Sequence, residues 1–155
     1  MSNPYFPYMS FDLPGFPFPY PDVTSFCNGT RRGGMETPMM ANDGIPKEFG
    51  SLAGLVFHEI SHNYFPFFMG PNERKYAFMD EGWAAFLPGD IIEEYKPGSD
   101  YFSRQVQGYA HMAGQEVELP LMIPTFQHNN WSSSRTAAYT RPAVAYHGRP
   151  CISPI

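Results

Sequence analysis

A pair of histidines four residues apart, with a glutamate between them, is the part of the sequence best suited to chemistry. Residues 58–62 read H-E-I-S-H. On an α-helix, positions i and i+4 lie on one face about 6 Å apart, so His58 and His62 can converge on one metal ion. Glu59 points about 100° away from His58, which suits a general base acting on a metal-activated water. The pattern is typical of a zinc site, although two partly exposed histidines on an amphipathic helix would give the same letters.

A catalytic zinc site also needs a third protein ligand and an open coordination position. One arrangement places a histidine six residues after the second His, following a glycine turn, but Phe65 and Phe68 occupy those positions. The other arrangement takes a glutamate from a second helix. Glu81 follows His62 by nineteen residues, which leaves room for a helix end, a loop and a new helix, whereas Glu73 falls in the middle of that loop. The spacing therefore predicts that Glu81 completes the site.

The histidine pair requires a helix, and the sequence predicts one. Apolar residues recur at helical spacing between Leu52 and Tyr64, with Ser51 as a candidate N-cap and Pro66 as a stop. Between residues 97 and 135 the chain is predicted to be loop-like with helical pieces. Three further helices are predicted: one over 80–87, one over 91–95, and a last one within R-T-A-A-Y-T-R-P-A-V-A-Y-H-G that is interrupted at Pro142.

The first 48 residues are predicted to be extended or β, in contrast to the helical portion over 49–155. Residues 1–22 mix prolines with aromatic residues, which is typical of an extended connecting segment. Together the two parts predict one α+β domain over 1–155 and exclude a doubly wound sheet. The remaining N-terminal segments are assigned from composition: a strand over 23–30 that closes on an Asn-Gly turn, a short strand over 35–37, and a loop over 39–50.

Composition narrows the class of protein. The 155 residues allow one ordinary domain, and 43% hydrophobic residues exclude a disordered chain. A net charge of −5 gives no electrostatic case for nucleic acid or for a polybasic membrane surface. No apolar run approaches the roughly 20 residues that a membrane helix needs. Cys27 and Cys151 lie near opposite ends without metal-ligand spacing, and we expect no disulfide between them.

The first residues are not expected to act as a signal peptide, because they lack a basic segment and are broken by prolines. As it stands the chain is expected to be cytoplasmic, and an upstream leader would make it periplasmic or secreted. His111, His128 and His147 have no ligand spacing to one another, so they are expected at surface or satisfied core positions.

The central motif resembles the gluzincin signature, and in particular that of the M1 family of zinc aminopeptidases. H-E-I-S-H is followed, after eighteen residues, by Glu81 within D-E-G-W-A. The family's second element reads N/D-E-G-F/W-A. The resemblance spans about residues 18–147, and bacterial members look most similar.

Two flanking motifs extend the resemblance. G-G-M-E-T at residues 33–37 is similar to the family's G-x-M-E-N, with Thr37 in place of asparagine. Y-T-R-P-A at residues 139–143 is similar to the family's Y-x-K-G-A, with Arg141 and Pro142 in place of lysine and glycine. Four elements therefore occur in the family's order with nearly the family's spacing.

The resemblance implies a thermolysin-like catalytic domain that holds one zinc ion and removes N-terminal residues from peptides. Glu59 would be the general base for the zinc-activated water. Glu36 would bind the free α-amino group of the substrate, and Tyr139 would donate a hydrogen bond to the oxyanion of the tetrahedral intermediate. The backbone of the glycine-rich strand would align the peptide, through Gly33, Gly34 and Met35.

The resemblance also implies that the domain is incomplete. The family carries a β-rich N-terminal domain and a C-terminal helical part, and residues 1–155 are expected to contain neither. The alternative to an active aminopeptidase is therefore a fragment that binds zinc without activity, because part of the amine site and the roof of the cleft would be absent. Within the peptidases, Thr37 leaves an endopeptidase open as the alternative to an aminopeptidase.

Overall fold

The computed structural model describes residues 5–30 and 33–148, and these form an α+β fold, as predicted. A three-stranded sheet lies beside a group of helices, of which eight are α-helices in the described residues. The strands are β1 Thr24–Cys27, β2 Gly34–Thr37 and β3 Met40–Asp43. The helices are α1 Tyr5–Phe11, α2 Phe49–Tyr64, α3 Pro66–Met69, α4 Glu81–Phe86, α5 Gly89–Tyr95, α6 Tyr101–Met112, α7 Trp131–Arg135 and α8 Arg141–His147.

Strand β3 is the centre of the sheet, which has the order β1-β3-β2. The predicted loop over 39–50 is therefore wrong for Met40–Asp43. Its Asn and Asp residues disfavour a strand by composition, but pairing on both sides satisfies its backbone. β2 and β3 form an antiparallel hairpin whose turn places Met39 at φ 63°. The strand predicted within 23–30 is present, and it pairs with β3 in parallel.

Helix α1 contradicts the extended segment predicted at the N-terminus. Tyr5 and Met9 are one helical turn apart, and both are fully buried. Pro7 falls in the first turn, where the backbone N–H groups have no partner within the helix, so proline costs no hydrogen bond there. The hydroxyl of Tyr5 also forms a hydrogen bond with Ser61 of α2. Burial against α2 therefore outweighs the local preference of a proline-rich segment.

Helix α2 is the predicted helix, and it begins earlier than predicted. Its N-cap is Glu48, which makes no side-chain capping bond, so Ser51 lies inside the helix and the predicted cap is wrong. The helix ends at Tyr64, and Pro66 begins the short helix α3. One face of α2 supplies the centre of the core, which contains Tyr5, Met9, Ala53, Phe57, Ile60, Tyr64, Leu87, Ile91 and Ile92.

The C-terminal third is more helical than predicted. Helix α6 occupies twelve residues of the segment predicted to be loop-like. Pro142 does not interrupt the last helix, because it lies in the first turn of α8, where proline is tolerated. The preceding residues Thr136–Thr140 are π-helical, and the Arg141 N–H donates to the carbonyl of Thr136. Within the described residues, no helix combines the length and apolar character needed to cross a membrane.

One sequence prediction falls partly outside the described residues. Cys151, for which no disulfide with Cys27 is expected, lies outside them, while Cys27 is exposed and has a free thiol.

Close packing between α4 and α8 depends on Gly82. A Cβ atom at this buried position would lie 2.7 Å from the Cβ and Cγ atoms of Pro142. Because the proline ring is rigid, the two helices would have to separate to admit a methyl group. The glycine of D-E-G-W-A therefore has a packing role.

We expect Gly82→Ala to lower the free energy of unfolding by about 1–3 kcal/mol, through overpacking. The matched control is Gly108→Ala in α6, where the added Cβ would meet Thr140 at an ordinary 3.5 Å. That change should raise the free energy of unfolding by about 0.5–1 kcal/mol, since glycine disfavours a helix interior. Urea denaturation measures both. Equal stability of the two variants would contradict the packing role.

Candidate metal centre

Helices α2 and α4 bring three side chains of the H-E-I-S-H and D-E-G-W-A motifs together. The Nε2 atoms of His58 and His62 are 3.3 Å apart. The Oε2 atom of Glu81 lies 3.2 Å from His58 Nε2 and 3.4 Å from His62 Nε2. The three atoms therefore form a nearly equilateral triangle at the contact between the two helices.

The dimensions of this triangle fit a zinc ion. Zinc in a tetrahedral site is about 2.0–2.1 Å from nitrogen and oxygen ligands, which places those ligands about 3.3 Å from one another. The measured separations of 3.2–3.4 Å match that spacing. The triangle borders a cavity of about 530 Å³, so a fourth position would be accessible. Two imidazoles and one carboxylate are also a donor set that zinc prefers.

Asp80 holds the more buried histidine in place. Its Oδ1 lies 2.5 Å from His62 Nδ1, which leaves Nε2 directed at the triangle. Asp80 occupies the N-cap position of α4, but its side chain makes no capping bond. Burial acts to lower the pKa of His62. Its hydrogen bonds to Asp80 and Glu81 have the larger, opposite effect and raise the pKa to about 10. Because a ligating imidazole must be neutral, a metal ion at the triangle would displace this proton.

Tyr139 contacts the carboxylate ligand. Its hydroxyl donates to Glu81 Oε1 at 2.5 Å, so Oε2 is the atom that faces the histidines. Burial acts to raise the pKa of Glu81, but hydrogen bonds from His58 and His62 dominate and hold it well below its usual range. Burial, together with the Glu81 charge, raises the pKa of the Tyr139 hydroxyl. The tyrosine therefore remains a donor next to an ionised ligand.

Glu59 lies beside the triangle and is not part of it. The residue is 4% exposed, and its Oε2 atom has no hydrogen-bond partner among the described residues. Burial raises the pKa of Glu59 to about 8, opposed by His62 and reinforced by Glu36 and Asp43. A cation at the triangle would oppose this rise. The arrangement suits a carboxylate that takes up and releases a proton.

Strand β2 borders the same cavity. A carboxylate oxygen of Glu36 lies within 4.8 Å of a carboxylate oxygen of Glu59 and of a ring nitrogen of His62. The cavity is also lined by Gly33, Gly34 and Met35. Gly33 is exposed and has a φ of +83°. A Cβ atom at Gly34 would lie 2.0 Å from Glu59 Oε1, so this glycine leaves the space that the glutamate occupies.

A buried asparagine attaches the hairpin to α2. The Oδ1 atom of Asn63 accepts a hydrogen bond of 2.6 Å from the backbone N–H of Met39. This bond joins the residue after His62 to the turn between β2 and β3, and so brings Glu36 to the site. The sequence offers no signal for it beyond the proximity of Asn63 to the histidine motif.

The structure adds two carboxylates that sequence reasoning did not place at the site. Asp43 ends β3 and is buried, and its Oδ2 accepts a 2.5 Å hydrogen bond from Ser25. Glu73 is exposed and lies outside the ligand triangle, and partial desolvation together with the charge of Asp80 raises its pKa. His111, His128 and His147 are absent from the metal-ligating groups found among the described residues.

Comparison with solved structures relates this fold to zinc peptidases. The M1 zinc metallopeptidase from Deinococcus radiodurans superimposes with a TM-score of 0.60 at 18% identity, covering 93% of this chain and 31% of that chain. A glutamate-to-alanine variant of it, bound to a Tyr-Ser-Ala substrate, gives a TM-score of 0.61 at 17% identity with the same coverage. A similar variant of a two-domain M1 zinc metallopeptidase, bound to L-tryptophan, gives 0.54 at 18% identity over 85% of this chain and 28% of that chain.

The chain shares its fold with part of the M1 zinc metallopeptidases. The described chain spans about a third of the length of these structures, and at this identity the likeness concerns the fold. No protein-family model and no curated protein matches the sequence. The chain therefore combines an M1-like fold with a ligand triangle at zinc spacing.

Because Asp80 orients His62, we expect Asp80→Asn to weaken zinc binding by about 10- to 100-fold while the fold is retained. Competition with a chromophoric chelator measures the dissociation constant. Asp90→Asn is the matched control, since Asp90 is exposed in the first turn of α5. Unchanged zinc affinity in Asp80→Asn would show that the carboxylate does not support the ligand.

Proposed function

We propose that this chain is a zinc-dependent peptidase of the gluzincin type that removes residues from the N-terminus of peptides. The proposal depends on one observation above all: the His58–His62–Glu81 triangle has the dimensions of a zinc site and lies beside Glu59, whose Oε2 atom has no hydrogen-bond partner in the described part of the chain. When bound, zinc acidifies water and polarises the carbonyl of the scissile bond.

Glu59 is the proposed general base. Its free Oε2 atom accepts a proton from the attacking water and then delivers that proton to the nitrogen of the leaving amine. Burial excludes bulk water, which would otherwise compete for the proton. Gly34 keeps the glutamate in position, since any side chain there would displace Glu59 Oε1.

Glu36 and Tyr139 are the proposed substrate contacts. A half-buried carboxylate on an edge strand attracts a cationic α-amino group, and so favours a chain end over a chain interior. The backbone of Gly33, Gly34 and Met35 lines the same wall and supports an extended peptide. Tyr139 remains protonated, so its hydroxyl can move from Glu81 to the negative charge that develops on the carbonyl oxygen.

The ligands bound to two similar structures support this class of reaction. One M1 neighbour was crystallised with a Tyr-Ser-Ala substrate and another with the amino acid L-tryptophan. Both ligands carry a free α-amino group. Peptides with a free N-terminus are therefore the substrates to test first.

We expect Glu59→Gln to abolish hydrolysis of an aminoacyl anilide while zinc content stays near one ion per chain. Glutamine keeps the shape of glutamate but cannot accept the proton. Colorimetric turnover and metal analysis of the same sample measure the two properties. Glu94→Gln on helix α5 is the control, since that residue is not among those lining the metal cavity. Parental turnover in Glu59→Gln would remove Glu59 from the mechanism.

Comparison of a free-amine peptide with its N-acetylated form separates an aminopeptidase from an endopeptidase. The parent chain should cleave the free-amine peptide at least about 100-fold faster, because acetylation removes the charge that Glu36 pairs with. Glu36→Gln should reduce that preference and leave zinc content unchanged. Equal cleavage of both peptides by the parent would favour an endopeptidase.

A second candidate function is zinc binding without turnover. It is favoured by exposed apolar side chains on the hairpin beside the cleft: Met35 is 57% exposed, Met39 41% and Met40 42%. Such a surface fits a cleft whose remaining walls come from further N- and C-terminal domains. A chain that holds zinc but cleaves neither peptide, beside an active longer protein, would support this candidate.

A further inference from the structure

A second cavity of about 700 Å³ adjoins the metal cavity. It follows helix α2 from His58 back to Gly50, which is about 12 Å at 1.5 Å per residue. The walls come from α2, α6, α7 and the π-helical segment. Four residues line both cavities and form the boundary between them: Leu55, His58, Arg135 and Tyr139.

The two cavities differ in charge. Three glutamates line the metal cavity, as described above. Among the described residues, the second cavity is lined by Lys96, Arg104 and Arg135 and by no aspartate or glutamate. A ligand that spans both would therefore meet acidic groups at one end and basic groups at the other.

Two of the three basic side chains have no acidic partner. Lys96 pairs with Glu48 at 3.5 Å and donates to Ser51 at 3.1 Å. For Arg104 and Arg135, no carboxylate of the described residues lies within 4.0 Å. Both guanidinium groups are thus available to an anion that enters the cavity.

The position of Arg135 relates it to the reaction. It lies four residues before Tyr139 along a continuous helical segment, so it is about one turn from the proposed oxyanion donor. Tyr101 also lines the cavity. Burial raises the pKa of Tyr101, and the nearby charge of Arg135 acts to lower it. The guanidinium therefore lies between the metal centre and the basic cavity.

We propose that the basic cavity binds a carboxylate on the leaving-group side of the scissile bond, through Arg135 and Arg104. A guanidinium group binds a carboxylate through two parallel hydrogen bonds, a geometry that lysine cannot reproduce. At about 3.3–3.6 Å per extended residue, a cavity about 12 Å long holds up to about three residues beyond the cleaved bond. The substrates are therefore short peptides, with the amine at Glu36 and the carboxylate at the arginines. This inference depends on the proposed peptidase function for the position of the scissile bond.

Calorimetric binding to the zinc-loaded full chain tests the inference without turnover. The Glu59→Gln variant serves as the host, so that peptides are not cleaved. We expect Ala-Ala-Ala to bind about 10- to 100-fold more tightly than its C-terminal amide. Arg135→Gln should remove most of this preference, and Arg104→Gln part of it. Arg135→Lys should leave an intermediate preference, because it keeps the charge and loses the paired hydrogen bonds.

Arg74→Gln is the matched control, since Arg74 is exposed and lies outside the residues that line the basic cavity. It should leave the preference of acid over amide unchanged. The inference is overturned if Ala-Ala-Ala binds no more tightly than its amide and Ala-Asp-amide binds no more tightly than Ala-Asn-amide. It is also overturned if a preference for the carboxylate survives both Arg135→Gln and Arg104→Gln.

Two sources of the carboxylate are distinguished by a second pair of peptides. Ala-Asp-amide and Ala-Asn-amide differ only in a side-chain carboxylate. A preference for Ala-Asp-amide that Arg135→Gln removes supports the inference with an acidic side chain as the ligand. A preference confined to the Ala-Ala-Ala pair supports it with the C-terminal carboxylate as the ligand.

The proposed function is tested separately with the parent chain and alanine p-nitroanilide, which carries no carboxylate. Hydrolysis of the anilide together with equal binding of every acid–amide pair would support the peptidase and reject the basic cavity. No hydrolysis together with an arginine-dependent preference would support the cavity and reject turnover.

Discussion

The contact between helix α2 and the first turn of α4 is the constraint on which the site depends. It places Glu81 against two imidazoles and lets Asp80 bond the fully buried ring of His62. Burying carboxylates and imidazoles away from water is costly unless they partner one another or a cation. Since these groups are arranged at zinc-ligand spacing, zinc bound to the folded chain would stabilise that chain.

Polar contacts from three directions hold α2 and the first turn of α4 in the positions that the site requires. Tyr5 of α1 bonds Ser61, Asn63 accepts from the hairpin turn, and Tyr139 reaches Glu81 from the π-helical segment. Each contact joins parts of the chain far apart in sequence. The apolar core supplies most of the favourable free energy, and these bonds select which faces of the elements meet.

The distribution of charge around the site follows from this arrangement. Carboxylates gather where β2 and β3 approach α2, whereas the arginines come from α6 and α7 on the other side of His58 and Tyr139. A net charge of −5 conceals this separation, because opposite charges cancel in the total. The resulting field is suited to a dipolar peptide.

The sequence by itself determined the chemistry near H-E-I-S-H, because i and i+4 positions share a helix face and Glu81 falls at the start of the next predicted helix. It also determined the α2 and α4 helices and the α+β class. Local composition could not predict β3 or helix α1, since pairing on both sides and burial of Tyr5 and Met9 override the local preference. Only the tertiary structure decided that Asp80 bonds His62, that Gly34 makes room for Glu59, and that Arg135 borders the metal cavity, because each depends on the distance between elements far apart in the chain.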